Sequence, residues 1–294
     1  MKKIFKWFKR LPKRTQDSMV FSASIVGVAS TIFGVLGVSL SSIPNTTLWL
    51  RIGIVVATAI VLFVVYYWII GVVYRDSVIL SIAQTSVEIS CGDIFAASGW
   101  KVIGCDTHFD TRIDDVVISK TSLHGKMVLE HGNIEEIKRR VEQEAKKDGL
   151  HKNENGLYDF PLGKIIKYES SVDGQTYLML ALATLDEQYK VHTNMAEFEY
   201  MLMQMWKEID RVYASHDIVL PILGAGILRF DDGPKNTELL LRCMLCTFNS
   251  SGVSLNSKVR IVIYKGAENI PLYEYRDIFN VILRSFLYNK KRRC

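Results

Sequence analysis

The fold is decided by the stretch Ile218-Val219-Leu220-Pro221-Ile222-Leu223-Gly224-Ala225-Gly226-Ile227-Leu228-Arg229, in which a short apolar run leads into a loop with two glycines. The run 218–220 predicts a buried strand, and residues 236–248, which follow shortly after the loop, have a helical pattern. Glycines at a strand end allow unusual backbone angles and let backbone N–H groups approach phosphate oxygens. The loop matches neither GxxxxGK[ST] nor GxGxxG, so a plain tight turn stays open beside a diphosphate-binding loop.

Around this loop, the chain after residue 76 alternates between strand-like and helical segments. Further strands are predicted at residues 78–83, 87–90, 101–105, 126–129, 164–168, 176–183 and 259–264. The strands 164–168 and 176–183 form a predicted hairpin around the turn 171–174. Further helices are predicted at residues 134–147, 194–213 and 272–288. This alternation predicts an α/β domain over residues 77–289, in which a mixed sheet is flanked by helices.

A second loop, Cys91-Gly92-Asp93-Ile94, directly follows the predicted strand 87–90. Ligands of α/β folds bind at the carboxyl ends of the strands. A carboxylate in this position suits a hydrogen bond from an adenine amino group, so Asp93 supports a nucleotide-binding interpretation of the glycine loop.

Two runs near the N-terminus, residues 19–40 and 52–74, contain no charged residue. Each is longer than the roughly 20 residues that a helix needs to cross a bilayer. A cleaved signal peptide is the alternative for the first run, but its apolar core is only about 7–15 residues long. We therefore predict transmembrane helices at 18–40 and 51–74, joined by an external turn at 41–50. A basic tail, 1–17, precedes them.

The flanking charges predict the orientation of these helices. The segment before the first helix carries seven cations, Lys2, Lys3, Lys6, Lys9, Arg10, Lys13 and Arg14, whereas the connection carries only Arg51. Positive charge marks the cytoplasmic side of a membrane protein. Both termini and the α/β domain are therefore expected inside the cell.

The first apolar run also carries small residues at helical spacing. They are Ala23, Gly27, Ser30, Gly34, Gly37 and Ser41. Small residues on one helix face allow close packing of helices in lipid. This stripe is expected to receive the second helix of the same chain, to join neighbouring protomers into a homo-oligomer, or both.

Cysteines and basic residues indicate no further chemistry. Five cysteines, an odd number, argue against a disulfide framework in the cytosol, and the CxxC of Cys243 and Cys246 lacks a second pair with metal-ligand spacing. The net charge of +5 comes mainly from the N-terminal tail, and the basic residues at 290–294 suit lipid headgroups or solvent. We expect no metal, no cofactor and no nucleic-acid partner.

Taken in order, Gly92-Asp93-Ile94, Val102-Ile103-Gly104-Cys105 and the stretch from Pro221 to Ile227 resemble the signature of macro domains, which bind ADP-ribose. More narrowly, Phe109-Asp110-Thr111 and Ser122-Leu123-His124-Gly125, with Arg229 close after Gly226, resemble the divergent macro-type domain of Thoeris anti-phage effectors. Two membrane helices ahead of that domain match the membrane type of this effector.

The resemblance implies a set of ligand-binding residues. Asp93 would recognise adenine beside the N–H of Ile94. The phosphate loop would comprise Gly224, Ala225, Gly226, Ile227 and Leu228. Arg229 would contact the diphosphate or a carboxylate of the ligand. By position, Asp106, His108 and Thr111 would line the distal ribose.

The resemblance also implies a function. A TIR-domain partner makes a signal from NAD, and the effector recognises it, oligomerises and disrupts the inner membrane of the bacterium, which leads to cell death or arrest. The signal expected for this type is an ADP-ribose conjugate with histidine.

The sequence departs from hydrolytic macro domains after the third predicted strand. Asp106 stands where an asparagine is expected, and no run of glycines follows. His108 has no evident companion nucleophile, so we expect His108 and His124 to be hydrogen-bonded structural histidines. A sensor without catalytic residues is therefore expected, and a membrane-anchored ADP-ribosyl hydrolase is the alternative.

Overall fold

The computed structural model describes residue 11 and residues 13–35, 47–71, 77–115, 117–185, 191–226 and 228–264. The described residues belong to two units, a pair of helices within residues 13–71 and an α/β unit over 77–264. The predicted helix 272–288, the tail 290–294 and most of the N-terminal tail and external turn lie outside the described residues.

The N-terminal unit consists of α1 (Lys13–Val35) and α2 (Leu48–Gly71). The two helices pack together, and the rings of Phe21 and Tyr66 stack with their centroids 3.8 Å apart. Within the described residues one helix, α2, is long and apolar enough to cross a membrane, over Ile52–Ile69. The predicted first span is helical up to Val35, and its remainder, 36–40, lies outside the described residues.

The described part of the small-residue stripe of α1 does not face α2. The buried positions of α1 are Ser18 and Ser22, with Val26 and Ala29 half-buried. Ala23, Gly27 and Ser30 are exposed, and a Cβ at Gly27 would meet no atom within 4 Å. For these three positions, packing against the second helix of the same chain was the wrong expectation, because α2 contacts a neighbouring face of α1.

The α/β unit contains one sheet of nine strands in the order β1-β2-β9-β7-β3-β5-β6-β8, with β4 paired to β5. The strands are β1 (Ser77–Ile82), β2 (Thr85–Gly92), β3 (Trp100–Asp106), β4 (Ile165–Glu169), β5 (Thr176–Leu185), β6 (Val191–Thr193), β7 (Ile218–Pro221), β8 (Arg229–Phe230) and β9 (Val259–Tyr264). Five adjacent strands, β2-β9-β7-β3-β5, are parallel to their neighbours. The strand β1 is antiparallel to β2, and β4 and β6 are both antiparallel to β5, so the sheet is mixed, as predicted.

The parallel strands are apolar because helices cover the sheet. In β5, Leu178, Met179, Leu180 and Ala181 are successive buried residues, although their side chains alternate between the two faces. Across the helices, the indole Nε1 of Trp206 donates a 3.2 Å hydrogen bond to Thr247. The core therefore lies on both sides of the sheet.

Asparagine caps define where the three long helices of this unit begin. They are α4 (Ile134–Lys147), α5 (Met195–Val212) and α6 (Thr237–Ser250), capped by Asn133, Asn194 and Asn236. Each cap side chain accepts a hydrogen bond from a backbone N–H of the first turn, as at Glu197 (2.9 Å) and Leu239 (2.8 Å). These bonds satisfy donors that a helix end leaves free.

The predicted strand 126–129 was wrong, because this segment is helical. A short helix α3 (Leu123–Lys126) continues into a π-helical turn, Met127–His131. Ser122 starts α3 by accepting a 2.9 Å hydrogen bond from the N–H of Gly125. Met127 and Val128 are both buried, whereas Leu129 is exposed. Periodicity cannot distinguish a strand from a buried helix over so short an apolar run.

Candidate functional site

The predicted ligand-binding residues lie along one edge of the sheet. The five parallel strands end there, at Gly92, Tyr264, Pro221, Asp106 and Leu185. The glycine loop follows β7, in the middle of this edge. Asp93 follows β2 two strands away on one side, and Asp106 ends the adjacent strand β3 on the other. With strands about 4.8 Å apart, the distance from β2 to β3 is roughly 14 Å.

The glycine loop is tight at Gly224 and open at Gly226. Gly224 has φ +80°, and a Cβ there would lie 3.3 Å from the ring of Phe198. Ala225 donates its N–H to the carbonyl of Ile222 over 3.4 Å, which closes the turn. Ala225 and Gly226 are exposed, and a Cβ on Gly226 would meet nothing within 4 Å. Their backbone is therefore accessible to a ligand. Ile227 lies outside the described residues.

Arg229 belongs to a strand at the end of this loop. Arg229 and Phe230 form β8, which pairs in parallel with His192 and Thr193 of β6. Asp231 holds the same junction, since it accepts a 2.8 Å hydrogen bond from Nδ1 of His192. Leu228 is half-buried, and Arg229 is exposed. The loop is thus anchored at both ends, by β7 and by β8.

Asp93 closes a turn at the end of β2. Its Oδ1 accepts a 3.0 Å hydrogen bond from the N–H of Phe95, and Ile94 is buried beneath it. The ring of Phe95 stacks on His131, with centroids 4.5 Å apart and planes 14° from parallel. His131 in turn lies with Nδ1 3.0 Å from Oδ2 of Asp173. Phe95, His131 and Asp173, which contact one another in sequence, therefore hold the turn that carries the exposed carboxylate of Asp93.

Asp106 organises the loop after β3. Its Oδ1 accepts hydrogen bonds from the N–H of His108 (2.8 Å) and of Asp110 (3.4 Å). Phe109, between them, has φ +52°, and its buried ring packs edge-on against Phe160 at 5.2 Å. One oxygen of the buried Asp106 carboxylate is thus used within the protein, and no described residue donates to its Oδ2.

His108 is held away from this carboxylate. Its Nδ1 lies 3.1 Å from the carbonyl oxygen of Tyr158 and 3.0 Å from the carboxylate of Asp159. Both neighbours are acceptors, so Nδ1 carries a proton and donates it. His108 is therefore a hydrogen-bonded histidine, as expected from the sequence.

His108 and Thr111 line a groove of about 1090 Å³ between the loop after β3, α4 and the segment 152–158. Asp93, Asp106 and the glycine loop do not line it. The predicted residues thus share one edge of the sheet but divide between the strand ends and this groove. Thr111, which lines the groove, is buried.

Arg112 and Asp110 form an ion pair that sequence reasoning missed. The carboxylate of Asp110 is buried and accepts hydrogen bonds from the Arg112 backbone N–H (3.0 Å) and Nε (2.7 Å). Burial alone would raise the pKa of Asp110, but these bonds and the charge of Arg112 hold it below its ordinary value. Because Asp110 and Arg112 are two residues apart in a loop, no periodic pattern in the sequence predicts that they pair.

In the Ser122-Leu123-His124-Gly125 motif, the geometry of the backbone explains Ser122 and Gly125. A Cβ on Gly125 would collide with the carbonyl oxygen of Ser119, which also accepts the hydroxyl of Ser122 at 2.7 Å. His124 is buried, but no described residue forms a hydrogen bond with its ring, so the expectation of a hydrogen-bonded histidine was wrong at this position. Burial lowers the pKa of His124, against the charges of Asp106 and Asp110, which act to raise it.

The CxxC pair lies on α6, with Cys243 buried and Cys246 exposed. Cys243 donates its thiol to Glu199 over 3.9 Å, and burial, ahead of the charge of Glu199, raises its pKa to about 11. Across the described residues, no group of three or more His, Cys, Asp or Glu side chains has an arrangement that could hold a metal ion.

Comparison with known proteins gives a family and a relative. The model of the family "Thoeris protein ThsA, Macro domain" matches residues 87–264. A Thoeris protein ThsA from Bacillus amyloliquefaciens (strain Y2) is 28% identical over 234 residues, which cover 76% of this chain and 77% of the relative.

Two solved structures of an Oceanobacillus iheyensis macrodomain, both of mutants, are also similar. One has a TM-score of 0.49 at 14% identity and covers 72% of this chain and 100% of that chain. The other, with ADPR, has a TM-score of 0.47 at 13% identity and covers 71% and 99%.

Proposed function

Because the chain belongs to the Thoeris ThsA Macro-domain family, and is thus a ThsA-like protein of Thoeris defence, we propose that it is a membrane-anchored sensor of an ADP-ribose-type signal. The domain of residues 77–264 binds the signal, and the bound state switches the N-terminal helices into a membrane-disrupting oligomer. The outcome is death or arrest of an infected bacterium.

The observation that carries this proposal is the order of groups along one sheet edge. A carboxylate (Asp93), an accessible glycine backbone (residues 224–226) and a buried carboxylate (Asp106) follow one another across neighbouring strand ends. An elongated ligand with adenine, diphosphate and sugar in that order would meet a suitable partner at each point. The fixed anchoring of the loop by β7 and β8 supports a preformed site.

Arg229 supports the charge balance of such a site. It is exposed at the end of the glycine loop, and no described residue forms an ion pair with it. A guanidinium in this position gives the diphosphate, or a carboxylate on the conjugate, a charge-assisted hydrogen bond. The signal is a conjugate of ADP-ribose with histidine, which a TIR-domain partner makes from NAD.

The loop after β3 favours sensing over hydrolysis. Asp106 accepts two backbone N–H groups at Oδ1, and Nδ1 of His108 donates to Tyr158 and Asp159. These bonds hold both side chains in place, and no described residue pairs with Oδ2 of Asp106 as a nucleophile would pair with a general base. A general base must reach the proton that it abstracts, directly or through one water. The arrangement binds a sugar without activating a nucleophile, so the protein returns its ligand intact.

The N-terminal unit supports the membrane part of the proposal. The apolar α2 anchors the chain in the inner membrane, with the N-terminus and the α/β unit inside, and α1 presents Ala23, Gly27 and Ser30 on an exposed face. Close packing of such faces between protomers drives helix association in lipid. A near-complete switch requires that the signal favour the assembled state by about 5.5 kcal/mol.

The test is calorimetric binding of ADP-ribose and its histidine conjugate to the full chain in lipid nanodiscs, with chromatography of the recovered ligand. We expect both to bind, the conjugate more tightly, and both to be recovered unchanged. Release of ADP-ribose from the conjugate would identify a hydrolase, and absence of binding would refute the sensor.

A further inference from the structure

His124 differs from the other histidines of the chain. Four of them have a ring nitrogen bonded to a protein acceptor: His108 to Tyr158, His131 to Asp173, His192 to Asp231 and His216 to Ala214. His151 is exposed, so water satisfies its ring. His124 is 7% exposed, and among the described residues none forms a hydrogen bond with its ring.

Among the described residues, the fully buried side-chain nitrogens and oxygens without a partner do not include those of His124, so its ring nitrogens lack a protein partner but remain accessible to a ligand. The backbone does not explain why the position is polar. Ser122, Gly125 and the carbonyl of Ser119 fix the turn through groups that any side chain at position 124 would leave in place. The identity of the side chain is therefore unrelated to the turn.

The neighbours of His124 lie at the end of β3, on the ligand-binding edge. The short helix α3, which carries His124, packs against β3, and the charges of Asp106 and Asp110 at the end of this strand act on the His124 ring. Both oxygens of Asp110 are occupied by Arg112, and Oδ1 of Asp106 is occupied by backbone N–H groups. Within the described part of the chain, two polar groups near the end of β3 have no protein hydrogen-bond partner: the His124 ring and Oδ2 of Asp106.

We infer that His124 contacts the bound signal, where its ring and Oδ2 of Asp106 together hold the vicinal hydroxyl groups of the distal sugar. A neutral imidazole offers one donor and one acceptor, and a carboxylate oxygen offers an acceptor. Two adjacent hydroxyl groups of a sugar, each of which can donate and accept a hydrogen bond, would satisfy the imidazole and the carboxylate oxygen. Burial keeps the ring neutral by lowering its pKa. This inference rests on the proposed function and assigns the distal end of the same site to His124, with His108 retained by Tyr158.

The test compares His124→Leu with wild type in full-length protein in nanodiscs, by calorimetry with ADP-ribose and with ADP, which lacks the distal sugar. We expect the affinity for ADP-ribose to fall at least about tenfold, or about 1.4 kcal/mol, and the affinity for ADP to stay within about twofold. His124→Gln, which keeps a donor and an acceptor, is expected to regain part of the loss. The control is His216→Leu, at the opposite edge of the sheet.

Thermal unfolding of the same variants separates binding from a structural role. Since the ring of His124 has no partner to lose, His124→Leu is expected to unfold at the same or a higher temperature than wild type. A lower unfolding temperature, or unchanged affinity for ADP-ribose, would overturn the inference and leave the proposed function intact. Failure of the wild type to bind ADP-ribose would instead remove the proposed function, and the inference with it.

Discussion

At the scale of single residues, Gly226 allows the phosphate loop to be tested without disturbing the fold. Its φ is not left-handed and the space around it is open, so a side chain fits there without strain. Gly226→Glu places a negative charge where the diphosphate would bind. We expect calorimetry to show at least about a hundredfold lower affinity for ADP-ribose, because two like charges meet in a partly desolvated site.

Asn249→Glu is the matched control for Gly226→Glu. Asn249 is exposed near the C-terminal end of α6, which is the end far from the glycine loop. The Asn249→Glu variant carries the same added charge as Gly226→Glu and is expected to bind ADP-ribose as wild type does. Normal binding by Gly226→Glu would exclude the loop from the ligand site.

Because the pKa of Asp110 is lowered in the folded protein, we predict that stability depends on pH. Its pKa in the folded protein is lowered by Arg112 despite burial, so its contribution is fully present above the unfolded pKa of about 3.9 and is lost as the pH falls through the folded value. Asp110→Asn is expected to destabilise the fold by about 1–3 kcal/mol near pH 7. Thermal unfolding between pH 3 and 7 is expected to converge for the variant and wild type at the acid end. A constant difference across this range would contradict the ion pair.

At the scale of elements, the turn after β2 depends on the helical segment 123–131. Phe95 donates its N–H to Asp93 and stacks its ring on His131. Phe95→Leu removes a stacking contact of about 0.5–1.5 kcal/mol. We expect calorimetry to show roughly twofold to tenfold weaker binding of both ADP and ADP-ribose, by the same factor, because both carry the adenine that Asp93 recognises.

Trp100→Leu is the control for this stack. Trp100 stacks on His216 with centroids 4.2 Å apart, but it begins β3 and so lies at the other edge of the sheet. Its loss is expected to leave both affinities unchanged. If Phe95→Leu and Trp100→Leu had equal effects, the stack would not position Asp93.

At the scale of the whole molecule, the exposed stripe of α1 predicts an assembly surface. Gly27→Leu places a large side chain on this face, away from α2. We expect it to abolish the ligand-dependent cross-linking of protomers in proteoliposomes, because bulk prevents close helix approach. Binding of ADP-ribose to single copies in nanodiscs is expected to be unchanged.

Val28→Leu, at a neighbouring position of α1 that is 60% exposed, controls for added bulk in lipid. It is expected to cross-link as wild type does. Wild-type cross-linking of Gly27→Leu would place the assembly surface elsewhere.

Most elements of the α/β unit follow from sequence pattern. The prediction of helix 134–147 is confirmed at both ends, because Asn133 caps it and its apolar positions recur at helical spacing. The parallel strands were found from their apolar runs. The segment 126–129 was misassigned because a buried helix and a buried strand show the same short apolar run. The hydroxyl of Ser122, which caps this helix, is the sequence signal that would have indicated it.

The sequence by itself determined most of the succession of elements, apart from the helical segment 123–131 and the short strands β6 and β8. It also determined the loops that carry Asp93, Gly226 and Asp106, because periodicity and the presence of glycine are properties of neighbouring residues. Only the tertiary structure decided that β7 lies between β9 and β3, which puts these loops on one edge. It alone packed the helix that carries His124 against β3 and turned Gly27 away from α2. Such relations depend on packing between residues distant in the chain, and no local pattern encodes which faces meet.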